Sequence, residues 1–166
     1  MNKKEELENK IMPNIETALS IISTWKKNNE KIVFTNGCFD LFHAGHALSL
    51  ADSADFGTKL IVGLNDDNSI KKIKGHSRPF IEYQYRAKVV ASLSSVDLVI
   101  PFSEDTPEKL IYAIIPNVLA KGNDYSLETI IGASFILENN GEIAIIPLTI
   151  GLSSTQLANN IFEKMK

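Results

Sequence analysis

The sequence predicts an α/β fold: a three-layer, doubly wound parallel sheet of about five strands with helices on both faces. Three observations lead to it. Segments with helical periodicity alternate with short apolar segments along most of the chain. The short segments are near-continuous runs of Val, Ile, Leu and Phe, as strands buried on both faces require. With 166 residues, 44% hydrophobic and 22% charged, the chain has the apolar material for a packed domain and too much of it for disorder.

The elements follow in order. Ile15, Leu19, Ile22 and Trp25 recur at helical spacing until Lys26-Lys27-Asn28-Asn29 ends the run. Residues 31–36 (KIVFTN) read as a buried strand running into Gly37. Residues 47–56 read as a helix, with Gly57 where a C-cap would stand. Residues 59–65 (KLIVGLN) are a second strand, 82–93 a helix and 97–102 (DLVIPF) a third strand. Thr106-Pro107-Glu108 has the form of a helix start with proline at the first position. Residues 117–121 are a fourth strand, 127–137 a helix and 142–148 (EIAIIPL) a fifth strand. A closing helix, 154–165, is N-capped by Ser153 or Ser154. Residues 1–29 are expected to form an N-terminal helical extension, and residues 30–166 the domain proper. No repeat, low-complexity tract or linker interrupts the pattern.

Composition excludes several classes of function. Seventeen Lys and Arg against twenty Asp and Glu leave a net charge of −3, with no basic excess to neutralise a phosphate backbone, so nucleic acid is not an expected partner. The single Cys38 excludes an intramolecular disulfide and a cysteine zinc cage, and it fits a reducing compartment. Residues 1–10 carry both charge signs, with no signal-peptide pattern after them. No apolar run approaches the ~20 residues of a membrane span. A cytoplasmic protein, off the membrane, is expected.

Ligands of doubly wound sheets bind beyond the carboxyl ends of the strands, so the polar residues there are the candidates. The scarce His43, His46, His76, Arg78 and Arg86 all fall between positions 43 and 86, mostly near those ends. The sharpest segment is residues 37–46, GCFDLFHAGH. A glycine ends the strand and lets backbone approach a ligand. Two imidazoles three residues apart open the next helix, where free N–H groups and the helix dipole favour an anion. Such a pair could hold a phosphoryl group as charge builds on it. Spacing alone leaves two other readings open: one capping and one core histidine, or a zinc pair lacking a third ligand.

GCFDLFHAGH resembles the HxGH signature of the nucleotidyltransferase superfamily, and Gly151-Leu152-Ser153-Ser154-Thr155 resembles its (I/L)-S-(S/T)-T phosphate-binding turn. Both lie at predicted strand-to-helix turns, in the superfamily's order. FTNGCFDLFHAGH, LIVGLNDDNSIKKIKGHSRP, YRAKVVASLSSVD and KGNDY together resemble the D-glycero-β-D-manno-heptose 1-phosphate adenylyltransferase family, from about residue 31 to 161. Asn123 departs from that family's more usual second glycine. No sugar-kinase segment accompanies these residues, so the likeness is to the stand-alone form. The resemblance implies a Rossmann-like nucleotidyltransferase fold and direct adenylyl transfer from ATP, carried with Mg²⁺, to a sugar 1-phosphate. Pyrophosphate leaves and ADP-heptose, a precursor for lipopolysaccharide or other glycoconjugates, forms. A homodimer is a further expectation.

The resemblance also implies roles. His43 and His46 would contact the triphosphate, and Lys74 and Arg86 would bind phosphate oxygens. Asn36, Gly37, Cys38, Phe39 and Asp40 would cradle the nucleotide. Lys121, Gly122 and Asp124 would meet its ribose or base. Ser153, Ser154 and Thr155 would receive the β- and γ-phosphates. Asp66, Asp67 and Arg78 would serve the sugar phosphate. No residue is expected to ligate a metal directly. Two other functions remain open at this point: a cytidylyltransferase acting on glycerol 3-phosphate or a similar alcohol phosphate, and a non-catalytic nucleotide-binding module.

Overall fold

Five short aliphatic segments lie side by side in the computed structural model, which describes residues 2–123, 128–147, 149 and 151–165. They are β1 (Ile32–Gly37), β2 (Lys59–Asn65), β3 (Leu98–Phe102), β4 (Val118–Gly122) and β5 (Glu142–Ile146). Every neighbouring pair is parallel, in the order β3-β2-β1-β4-β5. The helices are α1 (Lys3–Glu8), α2 (Ile15–Lys27), α3 (Ala44–Ala54), α4 (Asp67–Lys74), α5 (Tyr83–Ala91), α6 (Glu108–Ile114), α7 (Ala133–Glu138) and α8 (Ser154–Lys164).

Alternation along each strand divides the core into two layers. Ile32, Phe34, Ile61, Ile100 and Leu119 face α2, α6 and α7, meeting Ala18, Ile22, Ile111, Ile114 and Ile136. Val33, Leu60, Val62, Val99 and Val118 face the other way, against Leu50 of α3 and Ala87 and Val90 of α5. The expected doubly wound parallel sheet is thus the observed architecture.

The chain leaves β1 for β2 on one side and later returns to β4 on the other, which makes the carboxyl end of β1 the switch point. There β1 and β2 stay in register over six residue pairs, Ile32↔Lys59 to Gly37↔Leu64. The β1–β4 register covers only Val33↔Val118 and Phe34↔Leu119. The two strands part beyond that point, and a crevice opens between Asn36 and Lys121.

Local structure departs from expectation in several places. α3 starts at Ala44 rather than 47, so His43 is its N-cap residue and His46 lies in its first turn. α4 falls in residues 66–81, to which the sequence pattern assigns no element. Its Asp-Asp-Asn-Ser start reads as turn chemistry, but Asp66 caps it by accepting the Ser69 N–H at 2.7 Å, and Ile70 anchors it in the core. α1 was likewise unforeseen and is closed by a capping box between Asn2 and Glu5. Pro107 is the N-cap of α6 rather than its first helical residue. α7 begins only after Gly132, which turns the chain at φ 83°. β5 ends before Pro147, which has no N–H to extend the ladder. Leu127 and Leu148, placed in elements by the sequence, lie outside the described residues.

Residues 2–29 are built into the domain. Ala18 and Ile22 of α2 are 0% and 2% exposed in the core. Ile11 bridges Val99 in parallel, the Met12 N–H donates to the Val99 carbonyl (2.9 Å), and the Val99 N–H donates to the Lys10 carbonyl (2.8 Å). This segment covers the outer edge of β3, which would otherwise offer unpaired backbone to other chains.

Candidate active site

A cleft of about 480 Å³ opens over the carboxyl edge of the sheet. That volume suits a nucleotide-sized ligand. One wall is the crevice between β1 and β4, with Asn36, Gly37, Lys121 and Gly122. The Lys121 ammonium donates to the Asn36 side-chain carbonyl across it. The opposite wall comes from the ends of β2 and β3, with Asn65, Lys74, Phe102 and Asp105. His46, Ser49, Asp40 and Ser154 also line the cleft.

His43 and His46 stack with centroids 3.8 Å apart and planes 21° from parallel. Phe39 meets the His46 ring edge-on at 5.2 Å, and Phe42 lies 5.3 Å from it. Gly45 permits the stack, since a β-carbon there would stand 3.1 Å from the His43 ring. Burial lowers the basicity of both imidazoles. For His46, burial, then the neighbouring His43 and Lys74, bring the pKa down to about 4, while His43 moves the same way through burial alone. Both rings are therefore neutral at pH 7, each with one N–H donor and one acceptor nitrogen. Among the described residues, both ring nitrogens of His43 and Nδ1 of His46 are buried without a hydrogen-bond partner. Unpaired buried polar atoms are costly and rare in folded proteins. Here three of them collect at the mouth of a helix N-terminus, where an anion would accept from those that carry N–H.

The second motif meets the first. Leu152 Cβ is 3.5 Å from where a Gly45 β-carbon would stand. The Ser154 hydroxyl donates to the Asp40 carbonyl, and Ser153 caps α8 by accepting the Gln156 N–H at 3.1 Å. The HAGH and LSST turns, more than 100 residues apart in sequence, thus bring two helix N-termini together at one edge of the cleft.

Several predicted ligands do other work. Arg86 is 1% exposed and does not line the cleft. Its guanidinium donates to the carbonyls of Ile81 (2.8 Å), Cys38 (2.6 Å) and Asn65 (2.9 Å) and to Asp67 Oδ1 (2.7 Å). It clamps the ends of β1 and β2 together, in place of the expected phosphate contact. Asp67 is occupied by Arg86 and by the Tyr83 N–H (2.9 Å), and Asp66 by its cap. Neither lines the cleft. Arg78 is buried against Asp40, and the Asp40 carboxylate is inaccessible. Lys74 ends α4 on the cleft wall. Burial raises the Cys38 thiol pKa, so Cys38 is a neutral wall residue. Ser153 and Thr155 are exposed beside Ser154, and Asp124 lies outside the described residues.

Sequence reasoning placed Asn65, Phe102 and Asp105 at strand ends without giving them a role, and it missed Ser49 and Thr106. The position of Asn65 at a strand's carboxyl end was the available signal. Ser49 reads only as a polar position on a helix.

The cytidylyltransferase-like family profile matches residues 34–159. The bifunctional protein HldE of Koribacter versatilis is 43% identical over 139 residues, covering 84% of this chain and 29% of that protein. HldE of Methylobacillus flagellatus is 45% identical over 152 residues, covering 92% of this chain and 30% of the relative. The chain therefore spans about three-tenths of the length of these relatives. Pantoate-beta-alanine ligase of Francisella tularensis shares the fold, with a TM-score of 0.63 at 19% identity, over 92% of this chain and 77% of that one.

Proposed function

From its membership of the cytidylyltransferase-like family, to which this chain belongs as a nucleotidyltransferase, we propose that it transfers AMP from ATP to D-glycero-β-D-manno-heptose 1-phosphate. The products are ADP-heptose and pyrophosphate. The observation that carries this reading is the stacked, neutral His43–His46 pair, with its unpartnered ring nitrogens beside the start of α8. Identity of 43–45% to HldE proteins and the KGNDY and LSST segments favour adenylyl transfer to a heptose phosphate over the cytidylyl alternative.

A phosphate oxygen of the sugar 1-phosphate attacks the α-phosphorus in line. The new oxygen–phosphorus bond forms as the bond to the β-phosphate oxygen breaks, and pyrophosphate carries away the electron pair. No side chain needs to become a nucleophile. His43 and His46 donate N–H to phosphoryl oxygens, and anionic phosphate at their nitrogens favours their protonated forms. The free N–H groups opening α8 face the departing pyrophosphate, while Lys74 and Lys121 supply positive charge from the cleft walls. Magnesium would travel with the triphosphate and neutralise part of its charge. Among the described residues, no three His, Cys, Asp or Glu side chains converge as a metal-ligand group. Asp105, exposed on the cleft wall and loosely held by Lys72 at 3.8 Å, could share that ion.

The test is product analysis by mass spectrometry, with ATP, CTP, GTP or UTP offered against heptose 1-phosphate or glycerol 3-phosphate. ADP-heptose should dominate. A CDP-linked product at equal nucleotide concentrations would transfer the assignment to the cytidylyltransferase reading.

A further inference from the structure

The imidazoles and the Ser153–Thr155 turn come from opposite ends of the domain, and a buried ion pair joins them. The Asp40 side chain is 0% exposed and meets Arg78 Nη1 at 2.9 Å. The same carboxylate accepts the backbone N–H groups of Phe80 (3.0 Å) and Ile81 (3.1 Å), which draws its pKa down despite burial. On its backbone side, the Asp40 carbonyl accepts the Ser154 hydroxyl. Arg78 stacks on the Phe80 ring at 4.1 Å and turns Nη2 toward Thr155 Oγ1, 3.5 Å away. Asp40, Arg78, Thr155 and Ser154 thus close a ring that ties the loop before α5 and the start of α8 to the segment leading into His43.

Two features mark this ring as more than a stabilising contact. A buried ion pair gains little over a well-packed apolar pair, because both ions lose their hydration. Asp40 is also flanked by Phe39 and Leu41, non-glycine residues at φ 46° and φ 41°. Such strain persists only where surrounding contacts over-determine the backbone, and it gathers at functional sites.

We propose that Asp40 and Arg78 are positioning residues that set the N-terminus of α8 against the His43–His46 pair, so that Arg78 governs the pyrophosphate end of the nucleotide and not the sugar acceptor. The proposal builds on the adenylyl-transfer reading and revises two expectations: direct nucleotide contact by the Asp40 carboxylate, and sugar-phosphate contact by Arg78. Asp40 keeps two backbone donors without Arg78, so Arg78→Met removes the link to Thr155 while the Asp40 carboxylate stays solvated by protein.

Inorganic pyrophosphate is the probe, titrated calorimetrically into the wild type, Arg78→Met, Ser154→Ala and the double variant, with thermal midpoints taken on the same preparations. Arg78→Met should weaken pyrophosphate roughly tenfold and raise KM for ATP alike, with acceptor KM unchanged. The double variant should be no weaker than the worse single variant, because both changes open one ring. Unchanged pyrophosphate affinity in folded Arg78→Met refutes the proposal, as do independent, multiplying effects in the double variant or a rise in acceptor KM alone. Absence of pyrophosphate binding by the wild type refutes it equally. Should Arg78→Met fail to fold, Arg78→Lys decides. Its shorter reach cannot bridge Asp40 and Thr155 together, so lost affinity at a retained midpoint supports the proposal and wild-type affinity defeats it. A wild type that transfers nothing from ATP, but whose pyrophosphate affinity falls on Arg78→Met, defeats the proposed reaction and leaves the positioning role standing.

Discussion

Replacing His46 with Phe should stabilise the protein while disabling it. The ring of His46 contributes packing against His43, Phe39 and Phe42, at centroid distances of 3.8, 5.2 and 5.3 Å, and a phenyl ring of similar shape keeps those contacts. What it removes is a buried Nδ1 with no partner among the described residues. An unsatisfied buried polar atom costs about 1–3 kcal/mol, and the partial exposure of this side chain argues for the lower end. A gain of about 1 kcal/mol raises the thermal midpoint by roughly 2–4 °C in a chain of this size. The same substitution deletes a preorganised donor to the reacting phosphate, which lowers turnover on the order of 10²–10³-fold. The assay is a thermal melt and an initial-rate measurement of pyrophosphate release on one preparation. A midpoint several degrees lower with turnover intact would refute the reasoning, since His46 would then be a satisfied structural residue with partners that Phe cannot supply.

Two other outcomes follow from the site. Arg86→Met strands Asp67 and three carbonyls, so unfolding in urea should show a loss of about 3–5 kcal/mol; a loss under 1 kcal/mol would mean the clamp is dispensable. His46 is held near pKa 4 in the folded chain, below its unfolded value of about 6.5, so the unfolded chain binds more protons in that window and stability falls as pH drops from about 6.5 toward 4. Melts across pH 4–7 should show this fall, and it should flatten in His46→Phe; an identical slope in the variant would exclude His46 as the titrating group.

The parallel sheet, its strand boundaries except the end of β5, and the two turns that build the cleft were legible in the chain. Runs such as Ile32–Phe34 and Leu60–Val62 must be buried on both faces, and Gly37 and Ser153 mark where strand gives way to helix. α4 was not legible, because Asp66, Asn68 and Ser69 favour turns as strongly as helix caps. Only Ile70, packed in the core, settles the competition. The N-terminal segment read as an extension for a similar reason. Helical periodicity in residues 15–25 announces an apolar face without saying what covers it, and the partner turned out to be the sheet itself.

The sequence by itself determined which residue types gather at the carboxyl edge, since strand-to-helix turns in a doubly wound sheet all empty there. It could not determine which of them face a ligand. Arg86 and Lys74 are both cations placed near the same edge by the pattern, yet one is closed in by three carbonyls and Asp67 while the other stands on the cleft wall. The distinction lies in contacts between positions 5 to 48 residues apart, such as Arg86 with Asn65 and with Cys38. Periodicity carries no record of such pairs. A buried guanidinium must satisfy its donors wherever carbonyls converge, and only the packed tertiary structure decides where that is.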